Sequence, residues 1–241
     1  MKEGRNIMDS YNVTFPNQSS ISLNNCDCFD FIETLCNGEI DIVFTSPPYN
    51  RKRNDKYSCY NDTLDDYYSF LCKIVDSLIC KVNKYIFLNV QSNYYNKADV
   101  YRFIGKYADK IQQVFIWEKS NPMPAQGNNI TNAYEYFIVI GNKSLKSNKT
   151  YTKNILTTSV NSQTNTAEHK AVMKQEVADW FIENFTKEDD IIYDPFMGLG
   201  TTAISCKKFG RKCIGTELIN KYYLYSIGNL EAYQINYEKN S

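Results

Sequence analysis

The chain has 241 residues, enough for one sizeable domain with a real core and too few for two comfortable ones. Its 27 basic and 27 acidic residues cancel, so a nucleic-acid-binding face has to come from local clustering and not from net charge. Eight cysteines in a chain of this size, behind the polar start Met1-Lys2-Glu3-Gly4-Arg5, read as reduced thiols of a cytoplasmic protein and not as a secreted disulfide framework.

The first clear strand is the apolar run 41–44, which leads straight into Thr45-Ser46-Pro47-Pro48-Tyr49-Asn50. Two consecutive prolines cannot continue a central strand. They impose a rigid extended turn whose carbonyls lack ladder partners, at the carboxyl end of the strand, where ligands bind in open α/β sheets. The irregular stretch 50–63 follows, with Arg51, Lys52, Arg53 and Lys56 beside Tyr57 and Tyr60; it reads equally as a solvated loop or as a phosphate contact. Leu64, Tyr68, Leu71, Val75 and Leu78 recur every three or four residues and predict a helix over about 64–80.

Further apolar runs predict strands at 85–88, 114–117, 136–140, 191–193 and 212–215. Val177, Trp180, Phe181 and Phe185 predict a helix ahead of the strand at 191, and Tyr223, Ile227 and Leu230 a last one after it. Runs of this kind alternating with helices are the mark of an α/β fold, a mostly parallel sheet covered by helices on both faces. The stretch 142–167 breaks the rhythm: it is rich in Lys, Asn, Ser and Thr, carries Lys143, Lys146, Lys149 and Lys153, and reads as a long surface insertion. No Cys-x-x-Cys pair occurs and His169 is the only histidine, so no metal site is expected. No apolar run approaches the roughly 20 residues that cross a bilayer.

The strand at 191–193 ends in Asp194-Pro195-Phe196-Met197-Gly198-Leu199-Gly200-Thr201-Thr202-Ala203, a strand, glycine turn and helix start. Glycines permit backbone angles closed to other residues, and a helix start offers unpaired N–H groups. Seventeen positions after Gly200 comes Glu217, at the end of the next strand, where a carboxylate can accept both hydroxyls of a ribose. Spacing alone therefore says a nucleoside-containing cofactor, nicotinamide included, while the absence of Gly-Lys-Ser/Thr excludes an ATPase loop. Position separates the first two. A dinucleotide fold needs several more βα units after its glycine loop, and only 41 residues follow Gly200, so the remaining strands must come from earlier in the chain and the domain is circularly permuted.

These two motifs carry a family resemblance. The chain resembles the amino-methyltransferases of DNA, in which a (Ser/Asp/Asn)-Pro-Pro-(Tyr/Phe/Trp) catalytic motif accompanies an Asp-Pro-Phe-x-Gly-x-Gly-Thr-Thr cofactor motif; the order here resembles their permuted beta group, of the restriction-modification type. The resemblance runs from about Asn25 to Leu230. Asn25-Cys26-Asp27-Cys28 resembles the family's segment near the cofactor's adenine, and Trp117-Glu118-Lys119-Ser120-Asn121-Pro122 resembles its Trp-x-Lys-x-Asn-Pro segment. Glu168-His169-Lys170-Ala171-Val172-Met173 resembles the opening of the cofactor part, although Lys174 replaces the proline usual there.

The resemblance implies a Rossmann-like S-adenosylmethionine-dependent methyltransferase fold in one domain over 1–241. Within it fall a catalytic part at about 20–141, a small target-recognition insertion at about 142–167 and a cofactor part at about 168–235. It implies Ser46, Pro47, Pro48 and Tyr49 as catalytic residues. Asp27, Asp194, Phe196, Gly198, Gly200, Thr201, Thr202 and Glu217 become the S-adenosylmethionine contacts. Double-stranded DNA is the implied partner, with a homodimer and a cognate restriction endonuclease as further candidates.

An exocyclic amine is a poor nucleophile because its lone pair is delocalised into the ring. The Ser46 hydroxyl and the Pro47 carbonyl suit the two amine N–H groups, and Tyr49 suits the face of a base flipped out of the duplex. Ser at position 46 resembles the N4-cytosine enzymes more than the N6-adenine ones, although Pro-Pro-Tyr-Asn also occurs among the latter. A methyltransferase acting on RNA or glutamine, a catalytically silent nucleic-acid-binding module and a dehydrogenase are the rival readings.

Overall fold

The computed structural model describes residues 9–51, 62–125, 127, 129–159 and 172–240, with the side chains of 236–240 left aside. Its strands are β1 (Asp9–Thr14), β2 (Ser20–Asn25), β3 (Ile40–Thr45), β4 (Val82–Val90), β5 (Ile111–Lys119), β6 (Tyr134–Gly141), β7 (Ile155–Thr158), β8 (Ile191–Asp194) and β9 (Lys212–Glu217). Its α-helices are α1 (Cys28–Thr34), α2 (Tyr67–Leu78), α3 (Lys97–Lys106), α4 (Gln175–Phe185), α5 (Thr201–Lys208) and α6 (Asn220–Asn240).

The strands form one sheet in the order β1-β2-β9-β8-β3-β4-β6-β5-β7. Five strand pairings are parallel and three antiparallel among the described residues, the mostly parallel sheet expected. Successive residues of a strand face opposite sides, and the core divides accordingly. In β4, Phe87 joins Phe44, Phe137 and Phe181 of α4 on one face, while Ile86, Leu88 and Val90 join Leu71 and Val75 of α2 and Phe103 of α3 on the other. Helices α4, α5 and α6 cover the first face and α1, α2 and α3 the second. Phe181 is the hub of an aromatic cluster, its ring centroid 4.2 Å from Phe137, 5.4 Å from Phe115, 5.5 Å from Phe44 and 5.6 Å from Phe87.

All six strands and all four helices expected from the sequence are present, the helix after the glycine loop included, and each strand is longer than its apolar run. The additional elements are β1, β2, β7, α1 and α3, and four of them have a physical reason for escaping notice. Strands β1 and β7 are the outer strands, half exposed, β1 mostly polar and β7 only four residues long; α1 is seven residues long; α3 buries only Val100 and Phe103.

Strand β7 alters the picture of 142–167 as a surface insertion. It pairs in parallel with β5, Trp117 opposite Leu156, and the Trp117 indole donates to Thr158 Oγ1 at 2.9 Å. Leu145 packs on the core, and Asn148 holds the end of α4 through Nδ2 bonds to the carbonyls of Glu183 and Thr186, 2.9 and 2.8 Å. Residues 142–159 are thus tied into the domain, while 160–167 lie outside the described residues.

Parallel pairing brings the carboxyl ends of β3, β4, β8 and β9 to one edge of the sheet. Both sequence motifs leave their strands there. No helix among the described residues is long and apolar enough to cross a membrane.

Candidate active site

The glycine loop leaves β8 at Asp194 and enters α5 at Thr201. Gly198 and Gly200 have φ of 55° and 85°, the left-handed region that other residues adopt only at a cost. At Gly200 a second constraint acts: an added Cβ would stand 3.0 Å from Ser226 Cβ on α6. The space this glycine leaves is filled by a helix.

Asp194 is buried behind the loop and its carboxylate is fully engaged. Oδ1 accepts from Thr45 Oγ1 at 2.7 Å and from the Phe196 N–H at 3.1 Å, and Oδ2 accepts from Thr202 Oγ1 at 2.5 Å. Burial pushes its carboxyl up to about 6, against the lowering effect of those three donors.

Glu217 ends β9. Its two oxygens accept the backbone N–H of Gly198 and of Ile219, each at 2.9 Å. Burial raises its pKa despite these bonds. A carboxylate has about four lone-pair positions, so the oxygens retain acceptor capacity. Asp27 caps α1 through a 2.7 Å bond from the Phe29 N–H.

The Pro-Pro turn leaves β3 at Thr45. Asn50, with φ of 52°, reverses the chain and is latched to Leu64 by side-chain bonds to its N–H and carbonyl, 2.9 and 3.0 Å. Asp62 accepts from the N–H of Asn50 and of Arg51, 2.8 and 3.1 Å. The Tyr49 carbonyl accepts from Asn93 and Asn96 side chains at 3.0 and 2.6 Å. The turn is therefore clamped from both sides. Of the basic loop, Arg51 lies with its guanidinium carbon 5.3 Å from the Tyr49 ring centroid; Lys52, Arg53, Lys56, Tyr57 and Tyr60 lie outside the described residues.

Under the turn runs a polar network that the sequence reading did not contain. Ser46 Oγ is 2.8 Å from the Tyr49 hydroxyl and donates to Asn89 Oδ1 at 3.0 Å. The Tyr49 hydroxyl is 2.6 Å from Asn89 Oδ1 and 2.9 Å from Glu135 Oε2. Glu135 Oε1 pairs with Lys119 Nζ at 2.5 Å, and Asn89 Nδ2 is fixed on the Tyr136 carbonyl at 3.0 Å. Asn89 and Glu135 are buried. Burial first, and the Glu135 charge next, push the Tyr49 phenol well above its ordinary value, so its proton stays on.

Ser46, Pro47, Pro48, Tyr49, Asp27, Asp194, Phe196, Gly198, Thr201, Thr202 and Glu217 all line one cavity of about 550 Å³. That volume lies within the range of about 300–1,000 Å³ usual for small-molecule sites. Gly200 is not part of the lining and faces Ser226 of α6. Phe29, Val172, Met173, Leu218, Ile219 and Tyr222 line the cavity as well; Glu168 to Ala171, His169 included, lie outside the described residues.

The model of the family described as DNA methylase, N6_N4_Mtase, matches residues 40–228. The chain belongs to this family. The type II methyltransferase M.MwoI of Methanothermobacter wolfeii is 29% identical over 199 residues, 76% of this chain and 29% of its own length, so the chain spans under a third of that relative. Among solved structures, the PvuII DNA methyltransferase, described as cytosine-N4-specific, superposes with a TM-score of 0.72 at 18% identity, covering 86% of this chain and 85% of its own. The M1.HpyAVI–SAM complex gives 0.64 at 22%, covering 87% and 100%. The fold is that of the S-adenosylmethionine-dependent methyltransferases.

Proposed function

We propose that this DNA methylase transfers a methyl group from S-adenosylmethionine to the exocyclic amine of a base flipped out of double-stranded DNA, N4 of cytosine in preference to N6 of adenine. The observation that carries this reading is the opening of the Pro-Pro turn and the glycine loop into one cavity, which Ser46, Tyr49 and Glu217 all line.

The residues present fit the cofactor. Glu217 offers acceptors suited to ribose hydroxyls, the N–H groups at the start of α5 suit a carboxylate, and the apolar side chains of Phe29, Phe196 and Ile219 in the same lining suit a purine. Asp194, its carboxylate already engaged, fixes the loop that receives the ligand. The bound group supplies a methyl on a sulfonium, and everything else is left to orientation and electrostatics.

Ser46 accepts one amine N–H and the Pro47 carbonyl the other, which concentrates the nitrogen lone pair on the side facing the methyl donor. The Tyr49 ring forms a wall for the base, a contact worth about 1–3 kcal/mol when bases stack on aromatic rings. Its hydroxyl is anchored inward, so stacking uses the ring alone. Ser at position 46 and the likeness to a cytosine-N4-specific enzyme support cytosine.

The same reading gives target recognition to 142–167 together with the Arg51-Lys52-Arg53 loop. It is supported by the path of the chain: β7 ends at Thr158 on the edge where the cavity opens, and Val172 lines that cavity. A homodimer, a restriction endonuclease sharing the site and a cytoplasmic location belong to this reading as well.

Tritiated-methyl transfer onto unmethylated DNA, followed by mass spectrometry of the nucleosides, tests it. N4-methylcytosine is the expected product. N6-methyladenine alone would reverse the base assignment, and no transfer would leave a silent nucleic-acid-binding module.

A further inference from the structure

Each methylation of an –NH2 group forms an N–C bond, breaks a C–S bond whose electron pair returns to sulfur, and releases one proton. That proton needs an acceptor within reach of the base. Resting on the amine-methylation reading above, we propose that it travels from the base to Ser46 Oγ, from Ser46 to the Tyr49 hydroxyl, and from Tyr49 to Glu135 Oε2, where it is held.

The path is continuous. Ser46 lines the cavity, its oxygen is 2.8 Å from the Tyr49 hydroxyl, and that hydroxyl is 2.9 Å from Glu135 Oε2. Both spacings are within the range in which hydroxyls exchange a proton along a hydrogen bond. Each hydroxyl gives up the proton it holds and takes the one arriving, so both are unchanged afterwards and only Glu135 has gained. Glu135 then returns its proton to solvent beside Lys119, whose side chain is 18% exposed.

The chemistry of the two acceptors fixes where the path ends. The Tyr49 hydroxyl also lies 2.6 Å from Asn89 Oδ1, but an amide oxygen accepts a hydrogen bond without keeping a proton near neutral pH. A carboxylate can keep one. Asn89 Oδ1, set by its Nδ2 bond to the Tyr136 carbonyl, accepts from both hydroxyls at rest, so each hydroxyl turns its proton from Asn89 onto the path as transfer occurs. Lys119 keeps the empty Glu135 carboxylate paired inside the protein between turnovers, since a buried charge without a partner is costly. Glu135 touches no substrate atom; it acts through Tyr49 and Ser46.

The test uses the full chain in single-turnover methylation of duplex DNA. Tyr49→Phe keeps the ring and the Glu135–Lys119 pair but cuts the path, and Glu135→Gln keeps the shape but removes its end. Each is expected to slow transfer roughly a hundredfold, the low side of what proton transfer contributes in enzymes. Calorimetric affinity for S-adenosylmethionine and anisotropy-measured affinity for DNA should stay within twofold. The double variant should be no slower than the slower single one, and the acid limb of the rate–pH profile should flatten in Glu135→Gln.

Wild-type rates in Tyr49→Phe, multiplying losses in the double variant, or an acid limb retained in Glu135→Gln would overturn the path. If Glu135→Gln folds poorly, Tyr49→Phe alone decides. Absence of transfer by the unaltered protein is a different failure, which removes the amine-methylation reading and the path with it.

Discussion

Thr45 Oγ1 donates a 2.7 Å hydrogen bond to Asp194 Oδ1 across 149 positions of sequence. It joins the last residue of the strand feeding the Pro-Pro turn to the first residue of the glycine loop. Thr202, at the start of α5, donates to the other oxygen. One buried carboxylate therefore sets the Pro-Pro turn at a fixed distance from the glycine loop.

That carboxylate makes stability depend on pH in a definite direction. Its pKa is raised from 3.8 to about 6 in the folded protein, so folding binds its proton more tightly than the unfolded chain does. The contribution is fully present below pH 3.8 and is lost as pH rises through about 6. A rise of that size corresponds to roughly 3 kcal/mol. Comparing denaturant unfolding of the protein with that of Asp194→Asn, the wild type should gain on the variant as pH falls from 7 to about 4. A difference independent of pH would show that the buried carboxyl does not titrate in this window.

Glu217 should govern cofactor affinity. Both oxygens are held in place by N–H groups of two different loops, and Glu217→Gln removes the charge and replaces one acceptor with a donor. Hydrogen bonds to charged groups contribute about 1.5–3 kcal/mol, so calorimetry should show S-adenosylmethionine binding weakened ~10- to 100-fold. An unchanged affinity would place the ribose elsewhere.

The two loops were legible because each is encoded within about ten consecutive residues, where prolines and glycines speak for their own backbone. The network of Asn89, Glu135 and Lys119 was not, because its members come from β4, β6 and β5 and meet only through the order of the sheet. A partial signal existed. Asn89 interrupts the apolar run Tyr85 to Val90, and a polar group buried in a central strand requires a partner. Lys119 was marked by resemblance alone, and nothing near Glu135 in sequence singles it out. Edge strands β1 and β7 were illegible for another reason: a half-exposed strand needs no apolar face on its solvent side.

Asn148 tests how far the region 142–159 belongs to the domain. Its Nδ2 bonds to the Glu183 and Thr186 carbonyls and its N–H bond to the Asn184 carbonyl satisfy the end of α4, where carbonyls lack intrahelical donors. Asn148→Ala should cost about 1–2 kcal/mol, seen as a lowered Tm. A Tm equal to the wild type would mean that this segment lies on the domain without holding it.

Gly200 carries two separable constraints. Its φ of 85° costs any other residue about 1–2 kcal/mol, and an added Cβ would approach Ser226 Cβ to 3.0 Å and Ser226 Cα to 3.3 Å. Gly200→Ala should therefore lower Tm by more than the backbone cost alone, which for a chain of this size is about 2–4 °C per kcal/mol. Ser226→Gly removes the nearer contact and leaves the Cα one, so the double variant should recover part of the steric loss and none of the backbone loss. Gly105, with open space around its missing Cβ and an ordinary place in α3, is the control: Gly105→Ala should raise stability by about 0.5–1 kcal/mol. Equal and additive effects of Gly200→Ala and Ser226→Gly would mean that α6 does not press on the glycine loop.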